Sequence, residues 1–218
     1  MLPRVLEPEV MDSPAEAQAY DSMDHAVVNR AFVRDFLASD PDVSRVVDLG
    51  TGTAQIPLVL HAERPAAGVC AVDAAWSMLV LAGENYRRSA CGGALLPVLA
   101  DSKRLPFANA SFTAVMSNSL LHHLPQPQVA LAEAVRVCQP GGTLFFRDLL
   151  RPGDIATLNN LVQTYAAEAN AVQRQLFADS LHAALSLEEV RQMVAELGFP
   201  ATGVSATSDR HWTWIANK

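Results

Sequence analysis

The run Val46-Val47-Asp48-Leu49-Gly50-Thr51-Gly52-Thr53-Ala54 constrains this chain more than any other stretch. An apolar strand pattern turns at once through two glycines into a helical pattern. Glycine takes positive φ without a Cβ penalty and lets a bound group approach the backbone. The helix that follows presents free N–H groups at its first turn. A nucleotide-like ligand is commonly held at such a turn, although a Gly-x-Gly turn alone is a weak signal. Two acids lie where a nucleoside-binding sheet needs them, each ending a later apolar run: Asp73 and Asp101.

The rest of the chain continues the alternation. Strand patterns fall near 45–49, 68–72, 95–99, 112–117, 142–148, 201–206 and 211–216, and helical patterns near 54–62, 75–89, 127–138 and 187–197. Strands separated by helices predict an α/β fold, a Rossmann-like doubly wound sheet of about seven strands with helices on both faces. Continuously apolar strands such as Gly68–Val72 suit a sheet covered on both sides. Ligands bind such sheets beyond the carboxyl ends of the strands. Asp48, Asp73, Asp101, Asn118 and Asp148 all fall at or beside those ends. Turn residues Thr207–Arg210 join the last two strands as an antiparallel hairpin, with Trp212 and Trp214 on one face as core and His211 and Thr213 on the other.

The flanks are helical. Residues 1–12 read as a loose start to an N-terminal helical arm spanning 1–40. Ser13-Pro14-Ala15-Glu16 is a capping box with proline at the first helical position, and a helix over about 24–38 carries Val28, Phe32, Val33, Phe36 and Leu37 on one face. A helical insertion over 151–185, built from pieces near 154–170 and 173–185, is either a lid or a plain packing element. Ser186-Leu187-Glu188-Glu189 is a second capping box.

Composition excludes several classes. The 218 residues suit one domain, 1–218, and carry a formal charge of −7 with no basic patch, so no nucleic-acid partner is expected. No apolar run reaches the length of a membrane span and the N-terminus lacks a signal-peptide core, so no membrane insertion is expected. Cys70, Cys91 and Cys138 are scattered and form no Cys/His metal spacing, so the reading is a cytoplasmic chain with no metal. The dinucleotide fingerprint needs a third glycine where Gln55 stands, which disfavours a nicotinamide dehydrogenase.

Five segments then occur in order: Val46–Ala54; Val72-Asp73 followed by Met78-Leu79; Ala100-Asp101-Ser102-Lys103-Arg104-Leu105-Pro106-Phe107; Ser117-Asn118-Ser119-Leu120-Leu121-His122-His123-Leu124-Pro125; and Gln139-Pro140-Gly141-Gly142-Thr143-Leu144. Together they resemble the class I S-adenosylmethionine (SAM)-dependent methyltransferases, best over residues 43–150. The resemblance implies a donor site. In it Asp73 accepts from both ribose hydroxyls, with Ala74 beside it. Asp101 accepts from the adenine amino group or caps a helix, with the Ser102 backbone nearby. Gly50 and Gly52 make room around Thr51, and Asp48 bonds the turn or the ammonium group. Met78 lies against adenine or in the core, and Ser117 and Asn118 reach the ligand from the fourth strand. Ala19–Met23 is similar to the arm of quinone-type methyltransferases, so Tyr20 closes over the donor or packs as a core aromatic. Ala54 departs from a glycine, and Ala75 from a common serine.

Methyl transfer from a sulfonium is an in-line displacement that mainly needs alignment. A base is needed only when the acceptor is protonated and weakly acidic. The catalytic candidates are His122, Arg147 and Asp148, with His123 read as structural. Arg147, Arg151, Arg210 and His211 make a small positive set in an acidic chain, which points to a small-molecule acceptor with an anionic group. The alternative is a non-catalytic SAM-binding or partner-regulating subunit, which only turnover separates from an enzyme.

Overall fold

The computed structural model describes residues 2–7, 12–89 and 91–218. Helix α1 (Pro14–Asp21) starts on the expected capping box: the Ser13 hydroxyl accepts from Glu16 N and the Glu16 carboxylate accepts from Ser13 N. Helix α2 (Ala26–Ala38) follows. Then come β1 (Val46–Leu49), α3 (Gln55–Glu63), β2 (Gly68–Asp73), α4 (Trp76–Ser89), β3 (Ala94–Leu99) and β4 (Phe112–Asn118). A 3-10 turn (Leu121–His123) precedes α5 (Pro127–Val137) and β5 (Cys138–Leu149). Helices α6 (Ile155–Tyr165), α7 (Ala171–Ala183) and α8 (Leu187–Glu196) lead to β6 (Val204–Ala206) and β7 (His211–Asn217).

The strands form one seven-stranded sheet in the order β3-β2-β1-β4-β5-β7-β6. Strand β1 runs parallel to β2 and to β4, and β2 parallel to β3, while β6 and β7 pair antiparallel. This is the Rossmann-like sheet with a C-terminal hairpin that the alternation predicts. Pro97 sits in β3, at the sheet edge, where a missing ladder donor is tolerated.

The chain divides into two compact units. The first comprises residues 10–118, 129–146 and 215–218. Its core sets Phe32 and Phe36 of α2 edge-on to Phe145, with ring centroids 5.1 and 5.6 Å apart, over Val46, Ala114 and Met116. The second unit comprises residues 1–9, 119–128 and 147–214. It buries Leu149, Leu158, Leu161 and Leu181 together, and Trp212 and Trp214 are fully buried as the alternation requires.

Four segments differ from the sequence reading. Strand β5 begins at Cys138, not 142, because the Pro-Gly-Gly stretch joins the chain end: Gly141 N donates to Lys218 O and Lys218 N to Gly142 O. Gly141 allows this with φ +78°. The helix read over 154–170 stops at Tyr165, since Asn170 caps α7, accepting from Gln173 N. Residues 201–203 curl into a 3-10 turn, which shortens β6. Finally, residues 2–7 are not loose. Arg4 donates to the carbonyls of Leu121, His122, Leu124 and Ala183, and Val5 N donates to His182 O. Of the expected loose start, residues 1 and 8–11 lie outside the described residues.

The second capping box is also formed. Ser186 is buried, and its hydroxyl accepts from Glu189 N while the Glu189 carboxylate accepts from Ser186 N. Ser186→Ala is therefore expected to cost about 1 kcal/mol, read as a lower midpoint in urea unfolding.

Candidate functional site

In the first unit, β1 ends at the glycine turn beside β2 and β4: Leu49 is paired with Val72 on one side and Ser117 on the other. Gly50 N and Thr51 N both donate to Val72 O at 2.9 Å. The turn needs left-handed backbone at Gly50 (φ +70°), Gly52 (φ +55°) and Ala54 (φ +61°). A Cβ at Gly52 would lie 3.5 Å from Tyr20 Cε1, so the tyrosine ring lies against this turn.

A cleft partly open to solvent is lined by Tyr20, Asp48, Gly50, Thr51 and Asn118 together with Asn29, Thr53, Gln55 and Ile56. Asp48 is buried and accepts from Thr51 Oγ1 at 2.7 Å. Burial, reinforced by the Asp73 carboxylate, pushes the Asp48 carboxyl up to about 7 despite the Thr51 bond. Burial, together with Asp73, Asp48 and Asp21, likewise pushes the Tyr20 hydroxyl up to about 12. Two buried oxygens in the lining, Thr53 Oγ1 and Asn118 Oδ1, have no hydrogen-bond partner.

The remaining donor-site candidates follow the turn outward. Asp73 Oδ2 accepts from Gly52 N at 2.8 Å and Oδ1 from Ala75 N at 2.9 Å. Ala74 stands between those contacts. Ala100 N donates to Asp73 O, which brings the end of β3, and Asp101 after it, next to Asp73 in the sheet. Asp101 itself is half-exposed; its Oδ1 accepts from Lys103 N and pairs with Lys103 Nζ at 3.2 Å, so in this structure it makes a local turn. Ser102 is buried. Met78 packs with Ala17, Ala75 and Tyr20. Ser117 is buried, and its Oγ donates to Leu49 O at 2.8 Å.

Four cavity residues escaped the sequence reading. Asn29 falls in the buried stripe of α2 with Phe32, Val33 and Phe36, and a polar residue in an apolar stripe was the available signal. Its Nδ2 donates to Gln55 Oε1, and Gln55 Nε2 reaches Asp21. Gln55, noticed only as the residue that breaks the dinucleotide fingerprint, thus ties α1 and α2 to the cavity wall. Thr53 and Ile56 flank it and carry no comparable signal.

The acceptor-side candidates lie in the second unit. His122 Nδ1 stands 2.5 Å from Asp148 Oδ1, and both are buried. Asp148 Oδ2 also accepts from Leu121 N at 2.6 Å. Burial alone would lower the His122 pKa, but Asp148 and Glu7 outweigh it and hold the pKa above its ordinary value; the same pairing holds Asp148 below its own. Arg147 Nε donates to Thr213 Oγ1. Arg210 stacks over the Tyr165 ring at 3.4 Å, and Tyr165 OH donates to Asp209. Burial, with Arg210 and Arg147 nearby, drives the His211 pKa down to about 4. Arg151 turns elsewhere, to Ala184 O and to Glu189 at 2.7 Å.

Residues 47–146 match the methyltransferase domain family. The malonyl-(acyl-carrier protein) O-methyltransferase of Geobacter sulfurreducens is 31% identical over 190 residues, covering 87% of this chain and 68% of that protein. The chain belongs to the SAM-dependent methyltransferase family. The ubiquinone/menaquinone biosynthesis C-methyltransferase UbiE of Desulfotalea psychrophila is 34% identical over 115 residues, 53% of this chain. That match spans only 45% of the UbiE protein. In structure, a SAM-dependent methyltransferase from Aquifex aeolicus superposes with a TM-score of 0.66 over 94% of this chain and 98% of its own, at 15% identity, a likeness of fold.

The polar lining of this cavity has the chemistry to meet one end of SAM, the donor that the family uses. SAM carries an ammonium and a carboxylate at its methionine end and a diol on its ribose. Asp48 and the partnerless oxygens of Thr53 and Asn118 are acceptors suited to an ammonium group. Ala54 adopts the left-handed conformation usually left to glycine, so the departure keeps the turn's shape. Ala75 uses its backbone N–H on Asp73, so the missing serine removes no bond there.

Proposed function

We propose that this chain transfers the methyl group of SAM to a small-molecule acceptor bearing a carboxylate or another anionic group. The observation that carries the donor half is the cavity wall of Asp48, Thr53 and Asn118 beside two left-handed glycines. When bound, SAM supplies a methyl carbon already activated by its sulfonium leaving group. Asp48 and Asn118 hold the ammonium group, Asp73 offers its carboxylate to the ribose diol, and Tyr20 covers the glycine turn. Asp101 and Ser102 serve the adenine side, where Asp101 exchanges its Lys103 contacts for the base.

The anionic acceptor rests on Arg147 and Arg210; burial first, and these two cations second, keep the neighbouring His211 neutral. A neutral imidazole with so low a pKa offers a hydrogen-bond donor and is only a weak base. An acceptor that arrives deprotonated needs no general base. His122 and Asp148 then serve as a positioning pair, each fixing the other and together fixing the turn over Leu121–His123. The Geobacter relative, named for O-methylation of a malonyl group, supports a carboxylate acceptor; UbiE is named for C-methylation and supports a quinone-like one. The free thiols Cys70, Cys91 and Cys138 support a reducing setting, the cytoplasm. No described helix is long and apolar enough to cross a membrane.

The test is an acceptor screen with methyl-labelled SAM, in which turnover separates an enzyme from a donor-binding subunit. Arg147→Gln and Arg210→Ala are each expected to raise the KM of an anionic acceptor by about tenfold, the worth of one charge-assisted hydrogen bond. Their SAM affinity should stay as in the wild type. Unchanged acceptor KM in both variants removes the anionic acceptor.

A further inference from the structure

We infer that Glu7, His122 and His123 form a binding site for one divalent transition-metal ion, with Asp148 and Ser180 holding the ligands from behind. All of these residues lie in the second unit. The candidate ligand atoms, one from each residue, lie within 4.8 Å of one another. Glu7 Oε1 is 3.5 Å from His122 Nε2 and 2.9 Å from His123 Nδ1. Bonds of about 2.0–2.2 Å in a tetrahedral site hold neighbouring ligands roughly 3.3–3.6 Å apart. The first separation already matches, and the second needs only a small opening. The 2.9 Å approach of His123 Nδ1 is an ion-pair contact with the Glu7 carboxylate, which a metal ion would replace.

The shell behind these atoms is what a metal site requires. A ligating histidine usually donates its other ring N–H to a carboxylate, which fixes the tautomer and aims the free nitrogen. His122 Nδ1 has that partner in Asp148 Oδ1 at 2.5 Å, so in the neutral ring that donates there the lone pair is on Nε2, the atom facing Glu7. Ser180 Oγ donates to both carboxylate oxygens of Glu7, at 3.2 and 3.4 Å. The backbone carrying Glu7 is anchored by Arg4 and by the Val5 N to His182 O bond. Arg4 is near His122, and Glu7 and Asp148 oppose its charge with two carboxylates. Two imidazole nitrogens and one carboxylate favour zinc or a neighbouring transition metal over calcium or magnesium. Three protein ligands leave a fourth position for water. Glu7 lies far in sequence from the adjacent pair His122-His123, which is why no Cys/His spacing announces the site.

The experiment is calorimetric titration of the full, chelator-stripped chain with zinc chloride. One zinc per chain in the micromolar range or tighter is expected, with a rise in unfolding midpoint at saturating zinc. Glu7→Gln and His123→Asn, both at partly exposed positions, should each weaken binding by about tenfold or more, and Asp148→Asn by a similar factor through the ring of His122. Circular dichroism of the metal-free variants establishes that they fold. Absence of saturable binding overturns the site. So does binding that survives both Glu7→Gln and His123→Asn, which would place zinc on the thiols instead. Zinc binding is read without methyl transfer, so either result leaves the donor cavity's role to its own tests.

Discussion

Asp73→Ala is expected to weaken SAM binding by at least about a hundredfold. The two carboxylate oxygens already accept from Gly52 N and Ala75 N. An ionised carboxylate has about four acceptor positions, so these two bonds are compatible with accepting from ribose hydroxyls as well. Two charge-assisted bonds at roughly 1.5–3 kcal/mol each set the scale of the loss. Truncation also releases Gly52 from its anchor, so the turn loses its fixed left-handed shape at the point where a ligand must approach. Both effects act in one direction. Titration calorimetry with SAM and S-adenosylhomocysteine reads the loss. Asp73→Asn, which keeps one oxygen acceptor, should fall between wild type and alanine. An affinity of Asp73→Ala within about threefold of wild type, at an unchanged unfolding midpoint, would remove Asp73 from the donor site.

What was legible in the sequence was local chemistry. The β1 turn could be read because glycines at 50 and 52 and the acids ending β1 and β2 announce backbone shape and side-chain chemistry within a few residues. The boxes at Ser13 and Ser186 and the Trp212/Trp214 face follow from three-residue and two-residue periods. Most of the errors are cases of distant partners. Cys138–Gly142 became strand only because Lys218 returns to pair with it. Residues 2–7 looked loose because nothing near them explains Arg4; its partners are carbonyls of the 121–124 turn and of Ala183. Asn29 and Gln55 join the cavity through each other across two helices. Asn170 is the exception, a local cap signal that an apolar helical period overrode.

The affinity for SAM is expected to fall about tenfold per pH unit below 7, and Asp48→Asn to abolish that slope. The buried Asp48 carboxyl titrates at about 7, raised by burial first and by Asp73 second. Of the groups around it, Thr51 favours the ionised form, and Tyr20 stays neutral throughout this range. A bound ammonium group favours the carboxylate, so binding near or below pH 7 must displace a proton that binding at pH 8 does not. The affinity is therefore highest above 7 and declines toward acid. Stability carries the opposite sign. A carboxyl raised in the folded state binds its proton more tightly than the unfolded chain does, so its contribution is fully present below the ordinary carboxylate range and lost as pH rises through 7. Holding Asp48 ionised at pH 8 costs on the order of 4 kcal/mol by this shift. Asp48→Asn removes that cost while keeping an acceptor for Thr51. The variant should thus unfold at a higher temperature than wild type at pH 8 and yet bind SAM less tightly there. A general loosening of the fold would lower both quantities, whereas a charge kept for its ligand separates them. Calorimetric titrations at several pH values, with unfolding midpoints of both proteins at pH 8, read the two signs together; a wild-type affinity flat from pH 8 to pH 5 would remove Asp48 from contact with the ammonium group.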